Sequence, residues 1–231
     1  MSSTNRGTVR SDRDLYATPF WVVDELVKRV EKTNTQLMDI GLPPFHNLID
    51  AGSGLDGRIG FKVSEKLRTL RYAYLVDLYN EDDRKDMVEG VSIEFRKRDY
   101  CGWLSSDWPK DDSLRDINFL IVSNPPFSQS EDFVMRSVEW IKTHGHPASV
   151  AVFLLRLNWL ASRRRADWLN ANPPARISSL APRPSFCKNV KIVDGKKKTS
   201  SNDSCEYAWV WWGSRLIHQG WPFFDVATRS D

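Results

Sequence analysis

Apolar positions along this chain follow two rhythms, one with the period of a helix and one of short unbroken or alternating runs. The first begins at Pro19. In PFWVVDELVKRVEK, Trp21, Leu26, Val27 and Val30 gather near one helix face, with Thr18 placed to cap it and Pro19 in its first turn. GRIGFKVSEKL, EDFVMRSVEWIKTH and RRRADWLNAN also read as helices. The second rhythm appears in HNLIDAGSG, where an apolar run enters a glycine-rich turn, in YAYLVDLY, ending at Asp77, and in VSIEFRKRD, INFLIVS, SVAVFLLRL, ARISSLA and CEYAWVWWG. Short apolar strands alternating with helices predict an α/β fold, Rossmann-like, with a seven-stranded, mostly parallel sheet covered by helices on both faces. No helix separates the last two strands, so the final strand is expected to run antiparallel.

The 231 residues, 41% hydrophobic and 27% charged, suit a single domain with its own core. Residues 1–13 read as a flexible polar arm and 14–231 as the domain, with a basic loop insertion around 183–204. A net charge of +3 imposes no global field, and the local clusters Arg163, Arg164, Arg165 and Lys196, Lys197, Lys198 are of a kind that is usually a solvated face. Ten tryptophans are expected mostly as core anchors. Three cysteines, Cys101, Cys187 and Cys205, lie far apart, which argues against a disulfide framework and against a structural metal. With neither a secretory signal nor a run of membrane-spanning length, a soluble cytoplasmic protein is expected.

In an open parallel sheet, ligands bind at the carboxyl ends of the strands. The loops there read DAGSGLDG, VDLYNED, KRDYCGW and SNPPFSQS. Gly52 and Gly54 allow close backbone approach at a helix start, and Asp50 before them suits an amino-bearing ligand better than a pyrophosphate. Asp77 at the next strand end can accept both hydroxyls of a ribose. Asp99 can accept from an adenine amino group, with aromatic Tyr100 beside the ring. Each acid alone is as readily a solvated or capping residue. Together they describe a nucleoside with an amino-acid tail, S-adenosylmethionine.

DLYATPF, DAGSG and SNPPF, in that order, resemble the amino-methyltransferases that act on adenine N6 in DNA. The resemblance covers most of the chain and implies a small, phage-like member in a bacterial or phage-infected cell. It implies that Tyr16 and Thr18 contact the methionine part of the cofactor, and that Asn124, Pro125, Pro126 and Phe127 form the catalytic loop. The chemistry fits those residue types. An aromatic amine is a poor nucleophile, and acceptors on the Asn124 side chain and the Pro125 carbonyl favour a pyramidal nitrogen. Paired prolines preset those acceptors, and Phe127 stacks on an adenine flipped out of the duplex.

Larger relatives carry a separate target-recognition domain, for which this chain has no room. Recognition then falls to loops: Arg163, Arg164 and Arg165 after the fifth strand, Arg183 and Phe186 after the sixth, and Lys196, Lys197 and Lys198. Three alternatives use the same residues differently: an RNA base N-methyltransferase, a protein-glutamine methyltransferase, and a nucleic-acid-binding module without turnover. Oligomeric state is open.

Overall fold

The computed structural model of the protein describes residues 17–54, 56–80, 82–106, 117–186, 191–193, 196–198, 205–213 and 223–229. All seven expected strands form, as β1 (Asn47–Ala51), β2 (Tyr72–Asp77), β4 (Val91–Lys97), β5 (Phe119–Ser123), β6 (Val150–Arg156), β7 (Arg176–Ala181) and β10 (Tyr207–Gly213). The sheet nevertheless has nine strands, not seven. Strand β3 (Arg84–Val88) adds an antiparallel edge to β4, and β11 (Phe224–Thr228) adds a parallel edge to β7. The order across the sheet is β11-β7-β10-β6-β5-β1-β2-β4-β3. As expected, β10 runs antiparallel to both neighbours, although it is not the last strand. Strands β8 (Lys191–Val193) and β9 (Lys196–Lys198) make a separate hairpin within the basic insertion.

The unbroken apolar runs follow from double coverage. In β1 and β5 every residue is buried, because each strand has a neighbour on both sides and packed side chains on both faces. Alternate residues feed two cores. Leu48, Leu75, Trp209 and Trp211 join Val22, Leu26 and Val30 of α1 (Phe20–Asp39) and Ile59 and Val63 of α2 (Arg58–Lys66). Ile49, Val76, Val210 and Trp212 join Tyr100 and Trp103 of α3 (Tyr100–Ser106) and Phe133, Val134 and Trp140 of α4 (Ser130–Thr143). Residues Arg163–Arg165 form a 3-10 turn that leads into the short helix α5 (Ala166–Ala171).

Ordering in α1 departs from the expected cap. Pro19, not Thr18, holds the cap position, no side chain caps the helix, and the Pro19 carbonyl accepts the first N–H groups from Val22 and Val23. Two long-range contacts hold this helix to the far end of the sheet. The indole N–H of Trp209 in β10 donates to the Val22 carbonyl at 3.0 Å. Asp225 of β11 receives Arg29 of α1 at 2.7 Å, Arg176 at 2.9 Å and Ser178 at 2.6 Å, both from β7. Among the described residues, no helix is long and apolar enough to cross a membrane.

Candidate active site

Three strand ends meet where ligands are expected. The Ala51 carbonyl accepts from the Ser123 hydroxyl, which ties the turn after β1 to the loop after β5. Gly52 N–H donates to the Val76 carbonyl at 2.8 Å, and Gly54 N–H donates to an Asp77 carboxylate oxygen at 2.9 Å. The other Asp77 oxygen takes the Tyr79 N–H at 2.8 Å. Gly52 and Gly54 both have left-handed backbone, at φ +65° and +68°, which favours glycine there. A side chain at Gly52 would press within 3.2 Å of Phe133 and 3.7 Å of Pro126, so the glycine turn and the proline loop abut. At Gly54 it would meet open space.

Asp50 is fully buried. One of its carboxylate oxygens accepts the Gly60 N–H of α2 at 2.7 Å, so it anchors that helix to β1. The other oxygen has no hydrogen-bond partner among the described residues. Burial, reinforced by nearby Asp77 and Asp56 against the opposing Gly60 bond, pushes this carboxyl up to about 7. A buried acid with one unsatisfied oxygen beside a glycine turn with open space at Gly54 suits a ligand that brings an ammonium group. The strand-end acid Asp77, next along the sheet, suits a sugar diol. These residues fit S-adenosylmethionine.

The third acid behaves differently. Asp99 is exposed and caps α3, accepting the Gly102 N–H at 2.8 Å. Tyr100 corrects the expectation of a ring beside adenine. It is buried in the core under α4, with its hydroxyl 2.7 Å from Ser137 and its ring 4.9 Å from Phe133. Tyr16 lies outside the described residues.

In the proline loop, the side-chain amide of Asn124 donates to the Thr18 hydroxyl at 3.0 Å. Arg58 fixes the backbone that carries Thr18. Its guanidinium donates to the Thr18 carbonyl at 2.6 Å, covers the Phe20 ring at 4.1 Å and pairs with Asp56 at 2.8 Å. The Pro126 carbonyl is taken by Gln129 N–H at 2.9 Å and the Phe127 carbonyl by the Ser130 hydroxyl at 3.2 Å, so the loop closes directly into α4. No described donor takes the Pro125 carbonyl. Phe127 is half-buried against the core. Arg156, at the end of β6, lies over its ring, and Tyr207 of β10 flanks it at 6.2 Å. Sequence reading missed Arg58, Arg156 and Tyr207; the last two fall inside strands, where only their apolar neighbours stood out.

The expected phosphate contacts divide. Arg165 is structural: it donates to the Trp159 carbonyl at 3.0 Å, stacks on that indole at 4.5 Å and pairs with Glu131 at 3.1 Å. Arg164 also pairs with Glu131, at 2.8 Å, with most of its side chain in solvent. These two arginines hold the Glu131 carboxyl below its ordinary range against the opposing effect of burial. Arg163 is exposed; its carbonyl accepts the Ala166 N–H, and its guanidinium has no hydrogen bond or ion pair among the described residues. Arg183 is exposed and paired with Glu206. Phe186 is buried against Tyr207, their rings 4.8 Å apart. The backbone of Lys196, Lys197 and Lys198 forms β9; their side chains lie outside the described residues.

No protein-family model matches the sequence, and neither does any curated protein. Solved structures do. A Listeria monocytogenes protein assigned as a class I S-adenosylmethionine-dependent methyltransferase superposes with a TM-score of 0.54 over 98% of this chain and 68% of that one, at 10% identity. Precorrin 8w decarboxylase from Methanobacterium thermoautotrophicum gives 0.44 over 79% and 90%, at 14% identity. The tRNA (m1A58) methyltransferase of Aquifex aeolicus gives 0.43 over 87% and 71%, at 8% identity. The likeness to the Listeria protein shows a shared class I methyltransferase fold.

Proposed function

We propose that this chain transfers a methyl group from S-adenosylmethionine to the N6 amine of adenine in DNA. The observation that carries this reading is the anchored amide of Asn124, in a proline loop packed against the glycine turn. When bound, the cofactor supplies an electrophilic methyl group on a sulfonium. Asp50, Gly52, Gly54 and Asp77 would hold it, with the free space at Gly54 admitting its amino-acid part and Asp77 its ribose. Asp99 stands at the rim beyond, and Tyr16 is proposed with Thr18 to close over the methionine end.

The rest of the work falls to the proline loop. With its NH2 group anchored on Thr18, the Asn124 amide presents its oxygen as the acceptor end. That oxygen accepts one hydrogen of the substrate amine and the Pro125 carbonyl accepts the other. The two bonds favour a pyramidal nitrogen whose lone pair points at the methyl carbon. The nitrogen that transfer leaves carries a surplus proton and is strongly acidic, so that proton passes to solvent water and no strong base is needed. Preset acceptors lower the barrier because little reorganises during the reaction. Phe127 offers a stacking face for the base, and Arg163, Arg183 and the β8–β9 hairpin supply positive charge for the backbone.

The test is methyl transfer from labelled S-adenosylmethionine to unmethylated double-stranded DNA, single-stranded DNA and total RNA in parallel, with Asn124→Ala as the blank. N6-methyldeoxyadenosine among the digested nucleosides, absent from the blank, is the expected product. Label in RNA alone would replace the substrate and keep the mechanism. Cofactor binding with no label in any nucleic acid would overturn the reading.

A further inference from the structure

The proline loop has an unanticipated neighbour. Strand β6 runs parallel to β5, with Phe153 opposite Ser123, so its carboxyl end reaches the same rim as Asn124. Arg156 is the last residue of that strand, and its guanidinium carbon lies 4.3 Å from the Phe127 ring centroid. This is face contact, well inside the distance at which a cation is attracted to an aromatic ring. The arginine is aimed from two sides. Its Nε donates at 3.0 Å to the hydroxyl of Tyr207, its direct cross-strand partner in β10. Tyr207 is fully buried and braced by Phe186. Phe127 packs against the core elsewhere, so the face under Arg156 is the face that a planar substrate would use.

We propose that Arg156 is the substrate-positioning residue of this site: the target base enters between the Phe127 ring and the Arg156 guanidinium and is held as a sandwich. The proposal rests on reading the site as one for base methylation. A guanidinium is planar and stacks on aromatic faces, and Arg planes are an established support for unstacked bases. Room for a base requires the guanidinium to move outward by about one ring spacing, roughly 3.5 Å. That movement releases the Nε bond to Tyr207, and the flexible methylene stem of the arginine allows it. Arg156 covers the Phe127 face at the place proposed for the base.

The sandwich recognises a flat ring rather than a hydrogen-bonding edge, so it acts on binding. The positive charge that develops on the amine during transfer gains nothing from a nearby cation, so turnover is not where Arg156 helps. The experiment compares wild type, Arg156→Ala and Arg156→Lys in two assays. One is steady-state methylation of unmethylated genomic DNA. The other is fluorescence anisotropy with a labelled single-stranded oligodeoxyadenylate in the presence of S-adenosylhomocysteine. Folding is checked by S-adenosylhomocysteine affinity and Tm.

Both variants are expected to raise the KM for DNA and the oligonucleotide Kd about tenfold. Their kcat should stay within about threefold and their cofactor affinity should not change. Lysine keeps the charge but not the plane, so Arg156→Lys matching wild type would overturn the sandwich in favour of simple phosphate attraction. An unchanged or lowered KM in Arg156→Ala would overturn it too, as would a shared loss of cofactor affinity and Tm. If wild type labels no DNA while the oligonucleotide affinity still depends on Arg156, the assigned reaction fails and the sandwich stands.

Discussion

The Asn124 side-chain amide donates to the Thr18 hydroxyl at 3.0 Å, across 106 residues of sequence. An amide has two distinguishable ends, and this bond decides which one would face the proposed substrate. Thr18→Val keeps the shape and removes the acceptor. It is expected to lower kcat about tenfold, the size of one hydrogen bond expressed as a barrier, with the S-adenosylmethionine Kd within about threefold. Thr18→Ser should retain activity. Steady-state kinetics beside calorimetric cofactor titration checks this; equal losses in Kd and kcat would make Thr18 a cofactor contact alone.

Asp77 links the glycine turn to its own strand end through the N–H groups of Gly54 and Tyr79. Replacing it by alanine removes both bonds and the acceptor proposed for the ribose. Cofactor affinity should weaken by roughly 1–3 kcal/mol, the scale of losing a hydrogen bond to a charged group. Unchanged affinity in a titration of the folded variant would remove Asp77 from the cofactor site.

Asp50 gives the fold a pH dependence of unusual sign for a carboxylate. Its folded value of about 7 lies above the ordinary 3.8, so between those two pH values the native state holds a proton that the unfolded chain has released. Stability from this group is full below the ordinary value and falls as pH rises toward 7, by an amount on the order of a few kcal/mol. Asp50→Asn keeps an acceptor for Gly60 and abolishes the titration. Urea unfolding at pH 5 and pH 8 should therefore show the variant losing less stability than wild type across that interval. Parallel losses in both proteins would count against the burial argument.

The arginine cluster separates into a free charge and a structural one. The Arg163 guanidinium is exposed without a described partner, whereas Arg165 is bound to Trp159 and Glu131. Arg163→Ala should leave Tm unchanged and reduce the salt dependence of DNA binding by the equivalent of about one phosphate contact. Arg165→Ala should lower Tm by several degrees. Binding measured over a salt series, with thermal melts of both variants, distinguishes the two roles.

What the sequence disclosed follows from how strongly each segment is buried. Strands β1, β5 and β6 are almost wholly enclosed, so their apolar runs were unmistakable. The two added strands are edges. Strand β3 is RKDMV and almost entirely exposed, with the charge that protects an edge from further pairing, so its composition hid it. Strand β11 buries little beyond Ala227. Acidic residues were ambiguous for a different reason. Asp99 follows a strand, as a nucleoside ligand would, but it also begins a seven-residue helix that lacked a visible period. Tyr100 belongs to that helix, and its place in the heptapeptide turns the ring into the core. The proline loop was legible because its residue types are rare in combination. Arg156 was not, since its role depends on a β10 neighbour 51 residues away.

The pairing of Trp209 with Val22 spans 187 residues and positions the helix that begins two residues after Thr18. Tyr207, two residues before that tryptophan, aims Arg156 over the proline loop. During synthesis, a chain that has left the ribosome only as far as β6 already contains its glycine turn and its prolines. It still lacks the strand that seats α1 and braces the aromatic wall. The site is thus completed late in synthesis, when β10 inserts between β6 and β7.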